Sequence, residues 1–304
     1  MDFVEIINQI GVLFFVLLVG VIVRKLGIVD DNASKHMASL IVKVTAPLLI
    51  ISSMSKKSTL SSSQIGSILL IALGVYSFLF LMTFIIPKVL RVAVTEVGTY
   101  KFMIMFSNVA FMGFPVAYAI FGDEGIVYAA IFNLPFYFLV FTLGIVLIRP
   151  HHDETKFNWK QIINPGVIGV FIGLTLFWTG LQLPVFLADS FTLIGGLTTP
   201  LSMIVIGVSL AGVKLKSVFT NVRIYIFCLI RMLLIPLLVM VVLKALGFEG
   251  LMLGIPVIIT AMPVAANSVI LAKEYGGNDR LASEAIFIST IFCIVTIPLL
   301  ASFL

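Results

Sequence analysis

Ten apolar runs of roughly 20 residues fill this chain between Ile6 and Phe303, and few folds accept such a pattern. A bilayer's hydrocarbon core is about 30 Å thick, the length of a helix of about 20 residues. In hydrocarbon the backbone must satisfy its own hydrogen bonds, so runs of this length read as spanning helices. They cover approximately residues 6–23, 35–53, 65–90, 98–121, 126–148, 166–181, 191–213, 219–246, 251–273 and 282–303. Charged residues are only 11% of the 304, against about 25% in a soluble domain. An ordinary soluble domain has no room here. The expected fold class is therefore all-α integral membrane, with ten transmembrane helices. The third and eighth runs exceed the bilayer thickness and predict tilt.

The basic residues orient the spans. With the N-terminus outside, 14 of the 19 Lys and Arg fall in inner loops. Lys56, Lys57 and Lys244 fall outside, and Lys43 and Arg231 lie within runs. This predicts a multi-pass protein of the plasma membrane with both termini outside. It also explains the net charge of +5 without invoking nucleic acid. Cys228 and Cys293 both sit in apolar runs, which argues against a disulfide framework. Asp2 and Glu5 precede the first run and Arg24-Lys25 follow it, unlike a cleavable signal peptide.

Two runs are interrupted. The fourth carries Phe106-Ser107-Asn108-Val109-Ala110-Phe111-Met112-Gly113-Phe114-Pro115-Val116-Ala117, and the ninth carries Ile259-Thr260-Ala261-Met262-Pro263-Val264-Ala265-Ala266-Asn267. Proline removes a backbone donor and clashes with the carbonyl four residues back. Broken backbone at membrane depth survives only where protein or a water-filled cavity satisfies it. Paired interruptions in the two halves of a chain point to a transporter's binding site. Further matches support a repeat: Thr45 precedes Pro47 by two residues, as Thr198 precedes Pro200. Five spans is an odd number, so two such units have opposite orientations. The expected organisation is an inverted pair, 1–149 and 165–304, joined by a cytoplasmic loop at 150–164.

The candidate site residues follow from the breaks. Asn108 and Asn267 carry amides that can donate to a carboxylate, although interhelical bonding is the alternative role. Ser107 adjoins Asn108, and Gly113 lets another backbone approach. Half-helices beyond Pro115 and Pro263 would present free N–H groups suited to an anion. Lys43 and Arg231 are candidate charge partners, since buried charge in a membrane usually faces a cavity or a partner. Snorkelling accounts equally well for Lys43, and Arg231 can instead cap carbonyls freed near Pro236. Asn133 and Pro135 can support the fourth span from behind. No acidic residue lies at mid-span, which argues against a carboxylate-based cation antiporter. His151 and His152 offer too few ligands for a metal, and they read as solvated loop residues. No phosphate-binding Gly-rich loop or hydrolase constellation is present, so neither an ATP-driven pump nor an enzyme is expected, and no cofactor.

Asn108-Val109-Ala110-Phe111-Met112-Gly113-Phe114-Pro115, together with the run from Pro263 to Ala272-Lys273-Glu274-Tyr275, resembles the auxin efflux carrier family. That family includes plant auxin exporters and bacterial malate and malonate permeases. The resemblance covers essentially the whole chain, without the long cytoplasmic loop of many plant members. It implies a fold related to bile-acid symporters and sodium/proton antiporters, with crossed broken helices 4 and 9. Helices 1, 2, 6 and 7 would form a scaffold, dimeric through helices 2 and 7. Helices 3–5 and 8–10 would form a moving transport domain. It also implies a carboxylate contact at Asn108 and backbone contacts near Pro115 and Pro263. Ile50 stands where plant members tend to have serine, which argues against auxin itself. The function expected is secondary active or facilitative transport of a small organic anion by an elevator mechanism. The competing expectations are a sodium-coupled symporter and a membrane-embedded ligand sensor.

Overall fold

The computed structural model describes residues 3–55, 61–149, 165–212 and 221–304. The connection at 150–164, with His151 and His152, lies outside the described residues, as do Lys56, Lys57, Lys214 and Lys216. The described residues are helical almost throughout, with no β-strand among them. The helices are α1 (Phe3–Lys25), α2 (Asp31–Leu40), α3 (Ala46–Ser55), α4 (Ser62–Val89), α5 (Val97–Met105), α6 (Phe114–Phe132), α7 (Leu134–Phe141) and α8 (Leu143–Ile148). They continue as α9 (Pro165–Thr179), α10 (Val185–Gly196), α11 (Thr198–Ala211), α12 (Val222–Leu229), α13 (Ile235–Ala245), α14 (Gly250–Thr260), α15 (Asn267–Tyr275) and α16 (Asp279–Ala301).

Six helical stretches among the described residues are long and apolar enough to cross a membrane: Asp31–Ser55, Ser63–Val89, Val109–Phe132, Val185–Ala211, Val222–Ala245 and Asp279–Ala301. α9 and α14 are shorter apolar helices. Large apolar side chains such as Phe15, Leu70, Phe171 and Val295 stand more than half exposed, as lipid-facing residues do. This is an all-helical integral membrane protein.

Three prolines bend the chain without stopping it. Wide π-turns at Ile41–Thr45, Val109–Gly113 and Ile230–Leu234 lie just before Pro47, Pro115 and Pro236. Each proline lacks the N–H that would reach the carbonyl four residues back, and its ring pushes that carbonyl away. The carbonyls concerned belong to Lys43, Phe111 and Met232, each inside its π-turn. The preceding residue compensates by reaching one residue further: Ala46 N–H bonds Ile41 O, and Ile235 N–H bonds Ile230 O. One added residue in the turn thus absorbs the proline, and the helix goes on. A true corner occurs at Gly122, whose φ of +66° is open to glycine and strained for other residues. It separates the expected fourth and fifth spans inside α6.

The chain divides into two compact units. The first contains Met1–Leu69, Ala110–Leu134 and Ile163–Gly212. In it α1 and α11 touch backbone to backbone: a Cβ at Gly207 would strike Leu17 O, and one at Gly20 would strike Ile204 O. Close approach through glycine is how membrane helices gain van der Waals contact where no hydrophobic force drives them together. α3 is similarly seated, with Gly195 against Leu49 and Gly169 against Pro47. At its centre the Thr198 hydroxyl donates to Thr45 Oγ1 at 3.0 Å, with both residues fully buried.

The second unit contains Leu70–Val109, Pro135–Ile162 and Val213–Leu304. Its core is aromatic. Phe106 lies tilted against Phe102 with ring centroids 4.7 Å apart and meets Phe136 at 5.7 Å, while Tyr100 lies edge-on to Phe227 at 5.1 Å. One end is fastened by Asn278, which caps α16 through Leu281 N–H. Its own N–H bonds Thr99 Oγ1 at 2.9 Å, and its amide reaches Glu96.

Candidate functional site

The second unit holds two broken helices, and they break against each other. α5 ends at Met105, and Phe106 turns extended with φ −119° and ψ 122°. α14 ends at Thr260, and the chain resumes as α15 only at Asn267. Between these ends, Ser107 and Val264 form an isolated antiparallel bridge. Asn108 N–H donates to Pro263 O at 2.8 Å, and Ala265 N–H donates to Phe106 O at 3.2 Å. The exchange is reciprocal, so each break supplies the donor and acceptor that the other lost. Such pairing satisfies backbone that hydrocarbon could not. α16 supports it from behind: Val264 N–H donates to Ser289 Oγ at 3.2 Å, and the Cys293 thiol lies 3.9 Å from Ala261 O.

This geometry relocates the first interruption. The sequence pointed to Pro115, but the chain leaves the helix at Phe106 and re-enters through the π-turn at Val109–Gly113. Pro115 then sits just past that π-turn, which absorbs its missing N–H, and the helix continues as α6. Pro263 instead lies inside the extended segment and gives its carbonyl to Asn108. The two prolines thus do different jobs. The reciprocal bonds equate Asn108 with Ala265, so Asn108 and Asn267 are not counterparts either.

Arg231 is the unexpected centre of this region. It is fully buried on the π-turn before Pro236. Nε donates to Met103 O at 3.3 Å, one terminal nitrogen to Ser107 Oγ at 2.6 Å, and the other to Thr260 O by a very short bond. Met103 and Thr260 lie in the last turns of α5 and α14, where carbonyls lack helical partners and the helix dipole is negative. The guanidinium therefore gathers the C-terminal ends of both half-helices. Sequence reasoning allowed a capping role near Pro236; the capped carbonyls belong to other helices. Among the described residues Arg231 forms no ion pair. A charge at the bilayer centre costs about 3 kcal/mol on insertion scales. Here hydrogen bonds compensate it while its charge remains.

The remaining candidates are distributed as follows. Ser107 and Asn108 are buried beside Pro263. Asn267 opens α15 half-buried, and no side chain caps that helix, whose N-cap residue is Ala266. Gly113, Pro115 and Lys43 belong to the first unit, where Lys43 is exposed. Asn133, also in the first unit, turns its amide back to Ala129 O at 2.7 Å at the end of α6. Sequence reasoning missed Ser289 and Thr260. A serine or threonine facing an apolar helix core is the only local signal they carry. No group of three His, Cys, Asp or Glu able to hold a metal occurs among the described residues.

The comparisons with known proteins point one way. The family described as membrane transport protein matches residues 5–301. An uncharacterized transporter of Methanocaldococcus jannaschii is 26% identical over 298 residues, covering 95% of each chain. An uncharacterized transporter of Methanothermobacter thermautotrophicus is 27% identical over 296 residues, again covering 95% of each. Paired broken helices in a membrane-embedded chain and a match over nearly its whole length agree: the chain belongs to the membrane transport protein family, that of the auxin efflux carriers.

Proposed function

We propose that this chain is a secondary carrier for a small organic anion, a dicarboxylate such as malate or malonate or another small carboxylate. One observation carries the reading: a buried arginine that forms no ion pair among the described residues sits at the ends of two interrupted helices. Its charge gives the region a positive potential, which suits an anion. In carriers with discontinuous helices, half-helix N-termini face the anionic groups of the substrate. The uncapped N-terminus of α15, with Asn267 at its head, is such an end. Asn108, whose main chain belongs to the paired segment, is the amide assigned to the carboxylate.

The wider reading is a ten-span, inverted-repeat protein of the plasma membrane with both termini outside. Spans 3–5 and 8–10 would move as the transport domain in an elevator cycle. Spans 1, 2, 6 and 7 would be the scaffold, dimeric through spans 2 and 7, which contain Pro47 and Pro200. Residues 1–69 and 163–212 fall in one unit and 70–109, 135–162 and 213–304 in the other, which supports that division of labour, while 110–134, within spans 4 and 5, group with the first unit.

The test is thermal unfolding of the detergent-purified protein against a panel of carboxylates, repeated with Asn108→Ala. A ligand at a hundredfold excess over its dissociation constant stabilises the native state by about 2.7 kcal/mol. A melting-temperature rise with malate, malonate or a related acid, abolished in Asn108→Ala, is expected. An equal response in the mutant, or no response to any acid, would sink the assignment. Counterflow in proteoliposomes then separates a carrier from a ligand sensor, which gives none.

A further inference from the structure

We propose that the Arg231 guanidinium is a tethered cation standing in the place of a coupling ion, so that the carrier runs without sodium or another alkali metal ion. Three oxygens converge on it from two broken helices: Met103 O, Thr260 O and Ser107 Oγ. Carbonyls at half-helix C-terminal ends and in unwound backbone are the groups by which discontinuous helices coordinate a coupling cation. Here nitrogens of one side chain take up that donor set. The guanidinium is fully buried, and it keeps its proton where a lysine would readily lose one. A covalently held cation does not dissociate, so its occupancy follows no ion gradient. It also draws together two helix ends whose partial negative charges would otherwise face each other.

The consequence for transport rests on the carrier reading above, but the cation site is tested without any organic acid. Wild type, Arg231→Ala and Arg231→Lys are purified in choline chloride. Melting temperatures are then read as choline is replaced by sodium, lithium or potassium at constant ionic strength. A second series adds dilute guanidinium chloride. Wild type should stay within about 1 °C across the alkali series. Arg231→Ala should melt lower and recover about 2 °C or more, saturably, with guanidinium or one alkali cation in the vacated place. Arg231→Lys should keep more of the wild-type value than Arg231→Ala does. Saturable stabilisation of the wild type by one alkali cation overturns the proposal, and so does a folded Arg231→Ala indifferent to every cation. If Arg231→Ala does not fold, Arg231→Gln takes its place, and the wild-type series still decides. In proteoliposomes, uptake that persists without sodium supports the inference and uptake that vanishes refutes it. A chain that moves no organic acid refutes the carrier reading and leaves the melting series to judge the cation site.

Discussion

Ser107→Ala isolates one contact of the arginine cluster and allows its cost to be worked out. The Ser107 hydroxyl accepts from a terminal nitrogen of Arg231 at 2.6 Å, with Ser107 only 6% exposed and Arg231 wholly buried. Alanine keeps the backbone bridge to Val264, so what is lost is one hydrogen bond to a buried charge. Bonds of that kind are worth about 1.5–3 kcal/mol, and water does not replace them in a packed interior. For a chain of this size each kcal/mol moves the melting temperature by about 2–4 °C, so a fall of about 3–12 °C is expected. The assay is thermal unfolding in detergent at one fixed scan rate, since irreversible unfolding makes the apparent midpoint depend on rate. The same substitution in an Arg231→Gln background completes a double-mutant cycle, where most of the cost should vanish. A fall of less than about 1 °C, or an equal fall in both backgrounds, would refute the reasoning.

Two predictions concern the first unit. Thr45→Val or Thr198→Val alone strands a buried hydroxyl and should cost about 1–3 kcal/mol, while the double substitution should cost less than the two together, as read from melting temperatures. Gly207→Leu forces a side chain into Leu17 O and the backbone of Gly20, so it should cost about 3 kcal/mol or more and broaden the size-exclusion profile. A monodisperse Gly207→Leu with unchanged melting temperature would mean that α1 and α11 do not depend on that close approach.

The membrane class was legible because hydropathy is a local property and the runs are long. Thr45 and Thr198 were marked only as repeat equivalents, by their distance to Pro47 and Pro200; that they meet at 3.0 Å is a contact the spacing does not encode. The position of the first break was not legible. Proline marks where a helix lacks a donor, but π-turns absorb that defect before Pro47, Pro115 and Pro236. What opens the chain at Phe106 is pairing with Val264 and its neighbours, 157 residues away in the case of Ser107. No local signal encodes a partner at that distance. Arg231 was visible as an anomaly, yet its partners Met103 and Thr260 are main-chain carbonyls that any residue would supply.

The reciprocal bonds between Phe106–Asn108 and Pro263–Ala265 are made by main-chain atoms alone. Asn108 and Ala265 must be able to donate, which excludes proline at both positions; nothing else about the bonds depends on which side chains are present. The pairing itself therefore tolerates most substitutions at its own positions, while the region around it depends on the side chains that brace it, Arg231, Ser107 and Ser289. Divergence within such a family can alter what is recognised without rebuilding the support that presents it. For an engineer, this makes the flanking side chains, rather than the break itself, the place to vary selectivity.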